Sequence, residues 1–102
     1  CRIAMVDQAD WHQAFAEVTA AGCRVHVVPN TPDGFYIHEK LLITYAGTGG
    51  AQQMMGSQNA SYSSLARNRE LSIVLTEGEA PSVLASAAST FERDFAKARP
   101  WK

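Results

Sequence analysis

Four polar side chains in the middle of the chain have the types and spacing of a site that handles phosphate. His38 and Lys40 stand two apart in a stretch that reads as a strand, so their side chains leave the same face. Further on, Gly56–Ser57–Gln58–Asn59 closes another strand. There Ser57 and Asn59 share a face, and Gly56 leaves room for a ligand or a neighbouring chain to come close. Lys40 and Asn59 can both donate hydrogen bonds to the oxygens of an anion. His38 offers a nitrogen nucleophile or a proton carrier. This set suits chemistry at a phosphate without a metal.

The same residues, taken in order, resemble the phospholipase D superfamily. The carriers are the His-x-Lys of His38–Glu39–Lys40 with Leu41–Leu42–Ile43 behind it, and the Gly-Ser-x-Asn of Gly56–Ser57–Gln58–Asn59. The third is Asn68–Arg69–Glu70, just before the apolar run Leu71–Leu75. Ser57 and Glu70 are thirteen residues apart, which resembles the spacing in the small bacterial nucleases of the superfamily. The opening βαβ pattern and the closing Phe91–Glu92–Arg93–Asp94–Phe95 extend the likeness over nearly the whole chain. One position departs: the family places Asp five residues after the Lys, and here that residue is Tyr45. The tyrosyl-DNA phosphodiesterases of the superfamily also lack that Asp.

The resemblance implies phosphodiester cleavage or transfer in two steps. His38 attacks phosphorus and forms a phosphohistidine; a second histidine protonates the leaving group; water or an alcohol resolves the intermediate. Lys40 and Asn59 neutralise the equatorial oxygens, and Ser57 adds a hydrogen bond to the phosphate. Glu70 accepts the other ring N–H of His38 and fixes its tautomer. No metal or organic cofactor is implied. A phospholipid head group is the favoured substrate class, with a nuclease of the same superfamily and a non-catalytic structural half as alternatives. Arg67 and Arg69 are the basic residues a nuclease would use. The leaving-group acid must come from a second copy of the motif. A missing N-terminal half is the favoured source, because the chain starts at Cys1 and its end resembles a C-terminal half; a homodimer is the other source.

Among the elements around these residues, Arg2–Val6 reads as a strand and Trp11–Ala21 as an amphipathic helix capped by Asp10 and ended by Gly22. Cys23–Val28 reads as a second strand, completing a parallel βαβ unit. After the loop Pro29–Gly34, a long strand Phe35–Thr44 carries His38 and Lys40. It forms a hairpin, through a turn at Gly47–Gln53, with Met54–Gly56. Ser57–Arg69 is polar and partly helical, Glu70–Thr76 is a fifth strand, and Pro81 opens a last helix lined by Val83, Leu84, Ala87, Ala88, Phe91 and Phe95. The expected architecture is α/β: one mixed sheet of about five strands flanked by helices, one half of a phospholipase D-type fold, in a single domain over residues 1–102 that is a fragment of a longer chain.

With 102 residues, 46% of them hydrophobic and 19% charged, the chain is neither disordered nor large enough for two full domains. Its net charge of −1 leaves no global basic field to attract nucleic acid or anionic lipid, so an anion must be held locally. Cys1 and Cys23 are too few for a disulfide framework and lack zinc-site spacing. They read as two small buried or edge thiols. Both stand at the starts of adjacent parallel strands, which leaves a bridge open; a bridge would point to a secreted or periplasmic parent. His12 and His26 have no companion residues and read as surface groups, and Trp11 and Trp101 read as packing residues.

Overall fold

The computed structural model describes all residues from Cys1 to Lys102. They divide into two compact units, one formed by Cys1–His38 and Thr90–Lys102, the other by Glu39–Ser89.

In the first unit the βαβ pattern folds as its alternation dictates. Strand β1 (Arg2–Val6) lies parallel to β2 (Arg24–Val28), with Arg2 opposite Arg24 and Val6 opposite Val28. Between them a short 3-10 turn (Ala9–Trp11) leads into helix α1 (His12–Ala20). Asp10 sits inside that turn rather than at the helix cap, which falls on Trp11. Gly22, at φ 96°, makes the reversal that ends α1. One face of the strands presents Ile3, Met5, Val25 and Val27 to Phe15, Trp11, Val18 and Trp101. Phe15 is 2% exposed and Val27 fully buried, and burying such a side chain stabilises the fold by about 1.5–3 kcal/mol. The other face presents Arg2, Arg24 and His26 to the last helix, α2 (Pro81–Lys97). Arg2 makes a two-point bond to Glu92 at 2.5 and 2.8 Å, and its guanidinium lies 5.2 Å from the Phe91 ring centre.

His26 is therefore not a surface group. Its ring stacks on Phe95 at 3.7 Å, and Nδ1 reaches the carbonyls of Phe95 and Ala98 at 2.8 and 3.2 Å, satisfying acceptors that the end of α2 leaves open. The in-register start of the parallel pair also decides the cysteines. Cys1 and Cys23 precede Arg2 and Arg24, their Cα atoms are 4.6 Å apart, and they form a disulfide, not two thiols.

The second unit holds an antiparallel sheet: β3 (Leu41–Thr44), β4 (Gln52–Gly56) and β5 (Ser72–Thr76), in that order, with Leu42 opposite Met54 and Met54 opposite Val74. The expected hairpin is there. A single five-stranded sheet is not: each unit has its own three-stranded sheet, the first completed by a two-residue strand β6 (Arg99–Pro100) antiparallel to β2. The strand expected over Phe35–Thr44 begins only at Leu41. Residues 35–40 follow the turn at Thr31–Gly34 and form no ladder. The polar triplet His38–Glu39–Lys40 has no apolar alternation to seat it on a sheet. No helix is long and apolar enough to cross a membrane.

Candidate functional site

The second unit builds a cluster around Glu70. At Gly56 the backbone of β5 comes so close that a Cβ would overlap the Leu71 carbonyl oxygen and lie 2.5 Å from Ser72 Cβ. The room that the glycine leaves is filled by the neighbouring strand. One residue on, Ser57 N–H donates to the Leu71 carbonyl at 3.0 Å, and Leu71 N–H donates back to Ser57 Oγ at 3.1 Å. The Ser57 hydroxyl is thereby oriented, and its proton is donated to Glu70 Oε2 in a short hydrogen bond.

The other side of Glu70 is held from the segment between β4 and β5. A π-helical turn over Ser63–Arg67 closes with Asn68 N–H on the Ser63 carbonyl at 2.8 Å, and Asn68 then turns extended. Asn68 Nδ2 donates to Glu70 Oε1 at 3.4 Å. The Ser57 hydrogen bond, above all, holds the Glu70 carboxyl below its ordinary value of 4.5; partial burial works the other way, and hydrogen bonds from Ser64 and Asn68 and the charge of Lys40 reinforce the lowering. Ser64 is itself buried, its N–H bonded to Ser61 Oγ. Its part in the cluster was not readable beforehand: a serine in a polar run carries no signal until the π turn faces it inward.

The residues singled out in the sequence are thus distributed as follows. Ser57 and Glu70 meet directly, and the Lys40 charge acts on Glu70. Ser57 and Asn59 do not share a strand face, because β4 ends at Gly56; Asn59 stands exposed beyond it. His38 and Lys40 do not share one either, since neither lies in a strand. His38 belongs to the first unit, exposed, its ring centre 5.8 Å from that of Tyr36. Tyr36 Oη in turn accepts a long bond from Gln8 Nε2 at 3.5 Å. No three His, Cys, Asp or Glu side chains are grouped to hold a metal.

No protein-family model, curated protein or solved structure matches this chain.

Tyr45, at the position where the resemblance leads one to look for Asp, follows β3 in a left-handed conformation, φ 54°. Its carbonyl accepts Thr48 Oγ1 at 2.6 Å and Thr48 N–H at 3.3 Å, which closes the turn into the glycine-rich stretch. The tyrosine ring is 76% exposed. His12, the other histidine of the first unit read as a surface group, is half-exposed and bonded through Nε2 to Asp7 at 2.7 Å; Arg99 holds the other Asp7 oxygen at 3.0 Å.

Proposed function

We propose that the chain is the catalytic half of a metal-independent phosphodiesterase that works through a phosphohistidine, and that its α/β fold is one half of a phospholipase D-type architecture. The observation that supports this most is the bond between Ser57 and Glu70. Two motif segments thirteen residues apart converge on one ionised carboxylate, within the influence of the Lys40 charge. Three neutral donors and the Lys40 charge favour the ionised form of this carboxylate, the form a partner of an imidazole would need.

In this reading a lone pair on a His38 ring nitrogen attacks phosphorus, and the bond from phosphorus to the leaving oxygen breaks. That oxygen takes a proton from an acid supplied by a second half. Water or an alcohol then attacks the phosphohistidine, the P–N bond breaks, and the attacking oxygen's proton passes to the group that had acted as acid. Lys40 is two residues from His38, so their Cα atoms lie within about 7 Å of one another however the chain bends. Its ammonium and the Asn59 amide stabilise the charge that builds on the non-bridging oxygens. Glu70 is the acceptor this reading requires for the second ring N–H. Phospholipid head groups are the favoured substrate class. Arg67, whose guanidinium lies 5.2 Å from the ring centre of the exposed Tyr62, supports nucleic acid as the second reading, since such a pair can stack on a base.

The test is turnover of bis(p-nitrophenyl) phosphate by the native protein and by His38→Ala. The substitution is expected to cost about three or more orders of magnitude in rate, and alkaline quenching, which preserves the acid-labile P–N bond, should trap a phosphorylated histidine in the unsubstituted protein alone. A folded His38→Ala variant that turns over normally refutes the assignment.

A further inference from the structure

The last rung of the β4–β5 ladder is closed by a side chain. Gly56 pairs with Ser72, and one residue further on Ser57 N–H donates to the Leu71 carbonyl at 3.0 Å. A regular antiparallel pair would return the bond from Leu71 N–H to the Ser57 carbonyl. Here Leu71 N–H donates instead to Ser57 Oγ, at 3.1 Å. The hydroxyl oxygen is thereby fixed by the register of the two strands.

A serine hydroxyl has one proton and two lone pairs. Both neighbours of this one have a fixed role. The Leu71 N–H can only donate, so it takes a lone pair of Oγ. The Glu70 carboxyl, held below its ordinary value of 4.5 chiefly by the Ser57 bond, is ionised at neutral pH and can only accept, so it takes the proton. What Ser57 has left is one lone pair, an acceptor. The non-bridging oxygens of a phosphodiester are acceptors as well, and two acceptors form no hydrogen bond.

We propose that Ser57 is a positioning residue, whose hydroxyl serves the Glu70 carboxylate and gives nothing to the phosphate. This departs from the role that the resemblance implies for Ser57 and leaves the phosphate oxygens to Lys40 and Asn59. To bond a phosphate oxygen, the hydroxyl would have to withdraw its proton from Glu70 while the Leu71 N–H holds its oxygen in place. Glu70 would then keep, at Oε1, the Asn68 amide at 3.4 Å, a longer bond. The line of control runs from strand register through Leu71 N–H and Ser57 Oγ to the carboxylate, and every group on it belongs to the unit Glu39–Ser89. For its effect on turnover, the inference rests on the reading of Glu70 as acceptor of a ring N–H.

The experiment compares the native protein with Ser57→Ala and with Ser57→Thr, which keeps the hydroxyl, circular dichroism establishing that each is folded. With bis(p-nitrophenyl) phosphate, Ser57→Ala should lower kcat about tenfold or more, the loss of one hydrogen bond to a charged group, and leave KM within about twofold. Ser57→Thr should recover kcat. Carboxyl NMR should show Glu70 displaced upward in Ser57→Ala and returned toward its native titration in Ser57→Thr. A Ser57→Ala variant that keeps kcat and raises KM would make Ser57 a phosphate donor; that result overturns the inference and leaves the phosphodiesterase reading standing. A folded Ser57→Ala that changes neither constant, or a folded Ser57→Thr no better than Ser57→Ala, overturns it too. A native protein that turns over no phosphodiester refutes the phosphodiesterase reading instead. The Glu70 titration then decides the inference: a carboxyl that titrates alike with and without the Ser57 hydroxyl overturns it.

Discussion

Replacing Gly56 by Ala tests how closely the architecture and the carboxylate cluster are tied. The new Cβ would lie 2.5 Å from Ser72 Cβ and 2.6 Å from Ser72 Cα, on top of the Leu71 carbonyl oxygen. Carbon atoms rest at about 3.5–4 Å, so the two strands must part by about 1 Å. The obstacle is backbone, which cannot swing aside as a side chain would. Overpacking of this kind costs about 1–3 kcal/mol, and straining the paired bonds between Ser57 and Leu71 adds about 0.5–1.5 kcal/mol. The smaller entropy of an unfolded chain with Ala returns about 0.4–1 kcal/mol. A net loss of about 2–3 kcal/mol lowers the melting temperature of a chain this size by about 10–20 °C. Thermal unfolding followed by circular dichroism measures it. Gly78→Ala is the control: nothing lies within 4 Å of the new Cβ and φ is not left-handed, so it should be neutral or slightly stabilising. A Gly56→Ala variant within about 0.5 kcal/mol of the unsubstituted protein would show that β4 and β5 are not held at this spacing.

Reducing the Cys1–Cys23 disulfide, which closes a loop with a sequence separation of 22, should cost about 3 kcal/mol; denaturant unfolding with and without reductant checks this. Ser57→Ala removes the largest influence that lowers the Glu70 carboxyl, so carboxyl NMR should find it titrating closer to 4.5. Because the folded value lies below the unfolded one, the stabilisation is present above about pH 4.5 and is lost as pH falls through the folded value; the variant should have a shallower acid limb. Gln53 is fully buried with Oε1 unpartnered, and its Nε2 reaches only the Met55 sulfur at 3.3 Å, so Gln53→Met, similar in shape, should raise stability by about 1 kcal/mol in a urea titration.

What could be read from the residues alone was what local pattern determines. Alternation in Arg24–Val28, the 3.6-residue spacing ahead of Gly22 and the hairpin around Gly47–Gly50 each encode their own element, and the structure has them. The division into two sheets was not legible, because it turns on whether residues 35–40 join a ladder, and six polar and apolar side chains without a period do not decide that. Nor was β6, two residues long and formed only because Trp101 N–H and its neighbours find β2. Within the site, the meeting of Ser57 and Glu70 was expected from motif order only as a common location. The particular donor and acceptor follow from Leu71 N–H orienting the hydroxyl, a contact that depends on strand register. Likewise His26 looked solitary in the sequence because its partners, the carbonyls of Phe95 and Ala98, are backbone groups about seventy residues away.

Tyr45 carries a consequence for how this chain can change. A left-handed backbone is unfavourable for a bulky side chain, by about 1–2 kcal/mol, and is several-fold richer in Asn and Asp than in other non-glycine residues. The turn after β3 therefore has the conformation that a short acidic or amide side chain prefers, while holding a tyrosine at φ 54°. A single nucleotide change converts a tyrosine codon into one for aspartate or asparagine, and for the backbone either step runs downhill. Nothing in the folding of this turn stands between the two residues. What the tyrosine adds over either shorter residue is an outward-facing ring, 76% exposed and open to whatever lies around it.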